Sequence, residues 1–142
     1  MATAPHIGTA LAETMVNAAV DTLDASAGSL KVFSGALPAE CITADPTGAL
    51  VTITLPTPAF AAAGSIDANT RGAAKAGTWS ATASGAGDAA CFRIYNNSAV
   101  CIAQGTAAAA TADLIFDNIT IAIGATITIT AFSFNLPINP EG

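Results

Sequence analysis

The chain has 142 residues, ten acidic side chains against four basic ones and a formal net charge of -6 at pH 7, a length that fits one domain. Only 10% of the residues are charged, against about 25% in an ordinary soluble domain. Hydrophobic residues make up 52% and mean hydropathy is +0.57, which excludes a disordered, solvating polymer. The four cations, Lys31, Arg71, Lys75 and Arg93, are dispersed, so no basic stripe exists for nucleic acid or anionic lipid.

The amino terminus lacks the Lys or Arg of a secretory leader, and no apolar run approaches the ~20 residues of a membrane span. The mature protein is therefore expected to start near Met1, with residues 1–8 as a flexible arm. Residues 9–27 read as an amphipathic helix: Leu11, Met15, Val16, Ala19, Val20 and Leu23 share one side, and Glu13, Asn17, Asp21 and Asp24 the other. Thr9 is the expected N-cap and Gly28 the stop. Asp21 and Asp24 oppose the helix dipole, so this helix is expected to rely on packing against a sheet.

From residue 29 to 137 the period is two. "SLKVFSG" and "LVTITLP" read as strands, the second burying Val51, Ile53 and Leu55 while Thr52 and Thr54 face out. "AFAAAGSIDA" is a weaker strand, and Asn69 to Gly77 reads as loop. "TWSATAS" and "AACFRIY" alternate again, with the glycines of "SGAGD" expected to join them as a hairpin. Asn96-Asn97-Ser98 is the turn into "AVCIAQ". Gly105 to Ala112 is expected to be a loop, and "DLIFDN" a further strand. This spacing, without alternating helices, gives a mainly β antiparallel sandwich or barrel with one N-terminal helix, in a single domain.

Between Asn118 and Pro140 there is no charged side chain. A strand near a terminus often lies at a sheet edge, where soluble proteins place charges or bulges against unwanted pairing. Here Ile127 and Ile129 share one parity and Phe132, Phe134 and Leu136 the other. Either a bulge near Thr130-Ala131 resets the phase, or the second aromatic face is covered by the helix or by another chain.

Residues able to carry chemistry are few. His6 is the sole histidine, so neither a triad nor a histidine-rich metal site can be assembled. The acids show no spacing that pairs them, and "SGAGD" leads into a strand rather than a phosphate-binding helix. No catalytic, cofactor-binding or metal-binding residue is assigned. Cys41, Cys91 and Cys101 show no CxxC spacing; they read as small buried hydrophobes of a protein made in a reducing cytoplasm, or Cys91 and Cys101 as a bridge across a hairpin. Arg93 and Tyr95 read either as interface anchors or as an outward pair that keeps a sheet face soluble. Trp79 with Tyr95 would make a sugar platform, against the reading of Trp79 as core. Asn96-x-Ser98 and Asn118-x-Thr120 match the glycosylation sequon by coincidence.

The segments "MVNAAVDTLDASAGSLKVFSGALPA", "TITLPTPAF", "CFRIYNN" and "ITIAIGATITITAFSF", in this order, resemble small accessory head proteins of tailed bacteriophages, of the cement or decoration type. The likeness spans about Leu11 to Pro137; Asn96 to Ala108 departs from it, with Cys101 and an Ala-rich tail where a Gly/Asp-rich turn is expected. The resemblance implies a jelly-roll-like sandwich that forms a homo-oligomer, a dimer or trimer, and binds the major capsid protein on the virion exterior after synthesis in the bacterial cytoplasm. It implies neither cofactor nor enzyme activity. On that reading Arg93, Tyr95, Phe132, Phe134 and Leu136 are the expected interface residues. The alternative is a carbohydrate- or receptor-binding β-sandwich of a phage tail or cell surface.

Overall fold

The computed structural model describes residues 7–24, 26–109, 111–116 and 118–138. His6 and most of the expected arm lie outside the described residues. The described chain is mainly β, with one helix at its start. That helix, α1, spans Thr9–Asp24 and is followed by β1 (Ser29–Phe33), β2 (Ala49–Thr54), β3 (Gly64–Asp67), β4 (Thr70–Ala74), β5 (Trp79–Thr82) and β6 (Gly87–Asp88). Then come β7 (Cys91–Tyr95), β8 (Cys101–Ala108), β9 (Leu114–Ile115), β10 (Thr120–Ile121), β11 (Thr126–Ile129) and β12 (Ser133–Pro137).

One layer is a five-stranded sheet in the order β2-β1-β7-β8-β9, antiparallel except for the short β8–β9 pair. The other comprises the sheet β12-β4-β3 and the ribbons β5–β11 and β6–β10. Together they form the expected jelly-roll-like sandwich. The core between them is fully apolar: Leu30, Val32, Val51, Ile53 and Ile94 from the first layer meet Ala73, Trp79 and Ile129 from the second. Alternation is the cause, since Thr52 and Thr54 face solvent while Val51 and Ile53 are buried. Four rings tie the layers together. Phe132 lies 5.6 Å from Phe92 and 5.7 Å from Trp79, whose ring meets Phe60 at 5.4 Å, and each such pair contributes about 0.5–1.5 kcal/mol beyond its buried area.

The helix packs on β4 and β12, as an amphipathic helix must, but rotated from the expected face. Ala12, Val16, Val20 and Leu23 are buried, whereas Leu11 and Met15 are 56% and 44% exposed. Two residues assigned to the outer face cause the rotation. Asn17 Oδ1 accepts the Ala63 N–H at 2.9 Å, and Asp24 Oδ1 accepts those of Ala59 and Phe60 at 2.7 and 3.1 Å. The helix thus supplies acceptors to backbone donors of 59–63 that no strand engages, and its last residue gains more there than it loses to the dipole.

Three expectations along the chain are corrected, and the alternatives for the closing segment are decided. Asn69 to Gly77 is not a loop: it contains β4, paired on both sides. Gly72 is what permits this, because a Cβ there would sit 2.9 Å from the Phe134 carbonyl oxygen. The "SGAGD" segment is not a hairpin either. β5 pairs with β11 and β6 with β10, so the closing segment runs antiparallel to residues 79–89, and its two halves around Gly124 do not pair with each other. The interruption at Ser84-Gly85 bends away because both N–H groups donate to the Leu50 carbonyl, at 2.9 and 3.0 Å. Gly105 to Ala108 is strand, the end of β8, drawn out by pairing with β7 and β9. The phase change after Ile129 is a change of sheet rather than a bulge: β11 ends there, β12 pairs with β4, and α1 packs on β12 as the second alternative expected. Phe132, Phe134 and Leu136 turn against the core.

Replacing Trp79, which has no solvent exposure, by Ala should cost about 3–5 kcal/mol. Urea unfolding followed by circular dichroism checks this; a loss below about 1 kcal/mol would place the ring outside the core.

Candidate functional site

Every residue of β7 is buried, although a strand shows only one face to a sandwich core. Phe92 and Ile94 fill the core; Cys91, Arg93 and Tyr95 point the other way and are covered by the loop between β1 and β2. This loop, cut by Gly35, Pro38, Pro46 and Gly48, has no strand partner of its own. It is held instead by side chains beneath it.

Arg93 is the centre of that arrangement. It is 1% exposed, and its guanidinium reaches acceptors in every direction. Nε donates to Gln104 Oε1 at 3.1 Å. Nη1 donates to the carbonyls of Thr43 and Ala44 at 2.9 and 3.3 Å and to Asp45 Oδ1 at 3.2 Å. Nη2 donates to the Glu40 carbonyl and to Thr43 Oγ1, both at 3.1 Å. The five N–H groups of a guanidinium in its fixed plane thereby fix the loop's path. Gln104, directly opposite Arg93 in the β7–β8 register, also donates from Nε2 to the Pro38 carbonyl at 2.7 Å.

Lys31 lies opposite Arg93 in the β1–β7 register, a like-charge pair that is unfavourable by itself. Asp45 resolves it: its two oxygens lie 3.2 Å from Arg93 Nη1 and 3.4 Å from Lys31 Nζ, and it accepts a hydrogen bond from the Tyr95 hydroxyl. Lys31 Nζ also sits 4.6 Å from the Tyr95 ring centre. The Tyr95 hydrogen bond and the two cations hold the Asp45 carboxyl below its ordinary range, although burial opposes them. Its contribution to stability is therefore complete above the unfolded-state value near 3.8 and is lost as pH falls through the lower folded value.

A covalent tie completes the loop. Cys41 and Cys101 form a disulfide across 5.6 Å between Cα atoms. This corrects both expectations for the cysteines. Cys91 and Cys101 stand at opposite ends of the β7–β8 hairpin, Cys91 facing Thr106 and Cys101 facing Tyr95, so they cannot meet, and only Cys91 remains a buried thiol. Burial pushes that thiol up, against a weaker opposing effect of Arg93, which makes it unreactive.

Arg93 and Tyr95 are neither solvent-exposed nor available to a partner, because their own loop covers them. Trp79 is core, its Nε1 donating to the Ala76 carbonyl at 3.0 Å, so it cannot form a sugar platform with Tyr95. Phe132 belongs to the aromatic cluster. Phe134 and Leu136 are half-buried against the core at the edge sheet. The structure separates this edge from the Arg93 loop, which lies over the five-stranded sheet.

The loop exposes Ile42, which sequence reasoning passed over. Its side chain is 86% exposed, one residue from the disulfide and one from Thr43, whose backbone and hydroxyl both bind Arg93. Val100, 55% exposed, lines the same depression of about 330 Å³ beside it. The β7–β8 turn that carries Val100 is fixed in turn by Asn96, whose Oδ1 accepts the Ser98 and Val100 N–H groups at 3.0 Å. A signal existed in the spacing Cys41-Ile42-Thr43 between two prolines, but not which cysteine would pair with Cys41. Among the described residues no group of His, Cys, Asp and Glu is arranged to hold a metal, and no helix is long and apolar enough to cross a membrane. No protein-family model, curated protein or solved structure matches the chain.

Tyr95 is the only tyrosine, so alkaline spectrophotometric titration reports on it alone. Burial, reinforced by the hydrogen bond to Asp45, pushes its hydroxyl up to about 12. Its share of stability is intact below the ordinary value of 10 and disappears as pH climbs to about 12. Tyrosinate absorbance should rise with a midpoint near 12 in the folded protein and near 10 in denaturant; a folded midpoint near 10 would mean the loop does not cover the ring.

Proposed function

We propose that this protein is a non-enzymatic cement or decoration protein that docks on the outside of a bacteriophage capsid, the role implied by the resemblance of its segments. The observation that carries the reading is Ile42: a large apolar side chain left in solvent on a loop whose course is fixed by a buried guanidinium, a hydrogen-bonded glutamine and a disulfide. An apolar residue immobilised before contact loses little entropy on binding, and such preorganisation is how an interface gains affinity from few residues.

Three further features agree with it. The charge-poor composition suits interface cores, which are depleted of ions. The net charge of -6 disfavours packaged DNA and favours an exterior station. The Cys41–Cys101 bridge fits an oxidising environment, of which the virion surface is one. The carbohydrate-binding alternative has lost the ring platform on which it rested.

The test adds purified protein to capsids that lack it. Wild type should be retained and should raise the temperature or denaturant concentration of shell rupture. Ile42→Asp should weaken retention at least about tenfold, a loss of about 1.4 kcal/mol, with no change in the unfolding midpoint of the free protein. Unaltered rupture with no protein retained would reject the role.

A further inference from the structure

The sheet β12-β4-β3 ends at β12, within the segment that lacks any charge. Which backbone groups of β12 are free follows from the ladder. Lys75 N–H donates to the Phe132 carbonyl at 2.8 Å and Ile138 N–H to the Asn69 carbonyl at 2.8 Å, in the register that sets Phe134 opposite Ala73. Even-numbered residues therefore exchange hydrogen bonds with β4, and the N–H and C=O groups of Ser133 and Asn135 point away from it. Pro137, the last residue of the strand, has no donor to offer.

Beside this edge is a groove of about 960 Å³ whose lining includes Ile115 of β9. β9 is itself the terminal strand of the five-stranded sheet. Phe116 N–H donates to the Ala108 carbonyl at 3.0 Å, which directs the backbone groups of Ile115 away from β8 by the same alternation. Residues of two strand edges thus line one groove, and Ile115, 59% exposed, is one of them. The charged residues of the lining are Lys75 and Asp113, one of each sign.

We propose that this groove receives an extended, uncharged peptide arm of a partner protein, which adds as a strand to β12 and covers Ile115. The occupant's form follows from the two edges. A free arm has hydrogen-bonding groups on both sides and can address Ser133 and Asn135 with one and Ile115 with the other. The β12 of a second copy has one side already committed to its own β4, so it can satisfy only one edge. The balanced lining favours an arm without net charge, and β12 carries neither the Lys nor the bulge that usually guards an edge. The inference rests on the cement reading only for the arm's owner, a capsid subunit.

A blocked Thr-Val-Thr-Val-Thr peptide probes the groove without any capsid. Added to the full-length protein, it should slow amide exchange at Ser133, Asn135 and Ile115, and the Asn135→Pro variant, which removes an outward donor and no bond to β4, should bind it at least about tenfold more weakly. Ser133→Lys, which keeps the whole backbone, should do the same if Asn135→Pro disturbs folding by circular dichroism. On capsids, both variants should be retained at least about tenfold less than wild type. No protection by the peptide, or capsid retention equal to wild type, would overturn the proposal. Protection that appears without peptide and grows with protein concentration would assign the edge to a second copy and overturn it likewise. Failure of wild type to bind capsids would refute the cement reading alone, since the peptide result still decides the groove.

Discussion

A buried cation, the one polar or charged residue buried among the described residues, is the constraint on which this structure turns. Arg93 sits in the central strand of the larger sheet, and a guanidinium removed from water must have acceptors for its donors or cost several kcal/mol. β7 can offer none, because its backbone is committed to β1 and β8. The loop from Glu40 to Asp45 provides them as carbonyls, a hydroxyl and a carboxylate. Folding of the sheet therefore dictates folding of the loop, and a lysine, with its single ammonium, could not replace the planar fork that reaches Gln104, Glu40, Thr43 and Asp45 together. Ile42 is the surface consequence of that internal requirement.

The uncharged carboxy-terminal third obeys a second constraint, that strand edges without ions need cover. Residues 119–129 obtain it on one side, from 79–89, because β10 and β11 each belong to a two-stranded ribbon. Residues 133–137 likewise obtain it on one side, from β4, while α1 packs over the same sheet. The helix illustrates the economy of the arrangement: Asn17 and Asp24 satisfy backbone donors of 59–63, and Glu13 lies 3.3 Å from Arg71 Nε on β4. Both unusual surface features, the Ile42 loop and the β12 edge, are thus what remains after the chain has met its own hydrogen-bonding demands.

Much of the fold was legible because alternation and helical period are local. β1, β2, β5 and β7, the helix and the turn at Asn96 all follow from side-chain pattern. The misses share a cause in long-range pairing. Thr70 to Ala74 has the composition of a loop and becomes a strand because β3 and β12 flank it; the glycines of 84–87 promise a hairpin and instead let the backbone approach Leu50. The site was less legible. Arg93 stood out as a charge inside an apolar strand, but whether it faced a partner, solvent or a loop depended on residues about 50 positions earlier. Sequence spacing alone could not show that Cys41 would reach Cys101.

Docking through Ile42 requires its loop to be rigid before anything binds it. Backbone order parameters for residues 39–45 of the free, oxidised protein measure this directly. Values near about 0.85, equal to those of the flanking strands β1 and β2, are expected; values below about 0.6 would show a mobile loop and contradict the claim that Arg93 preorganises it.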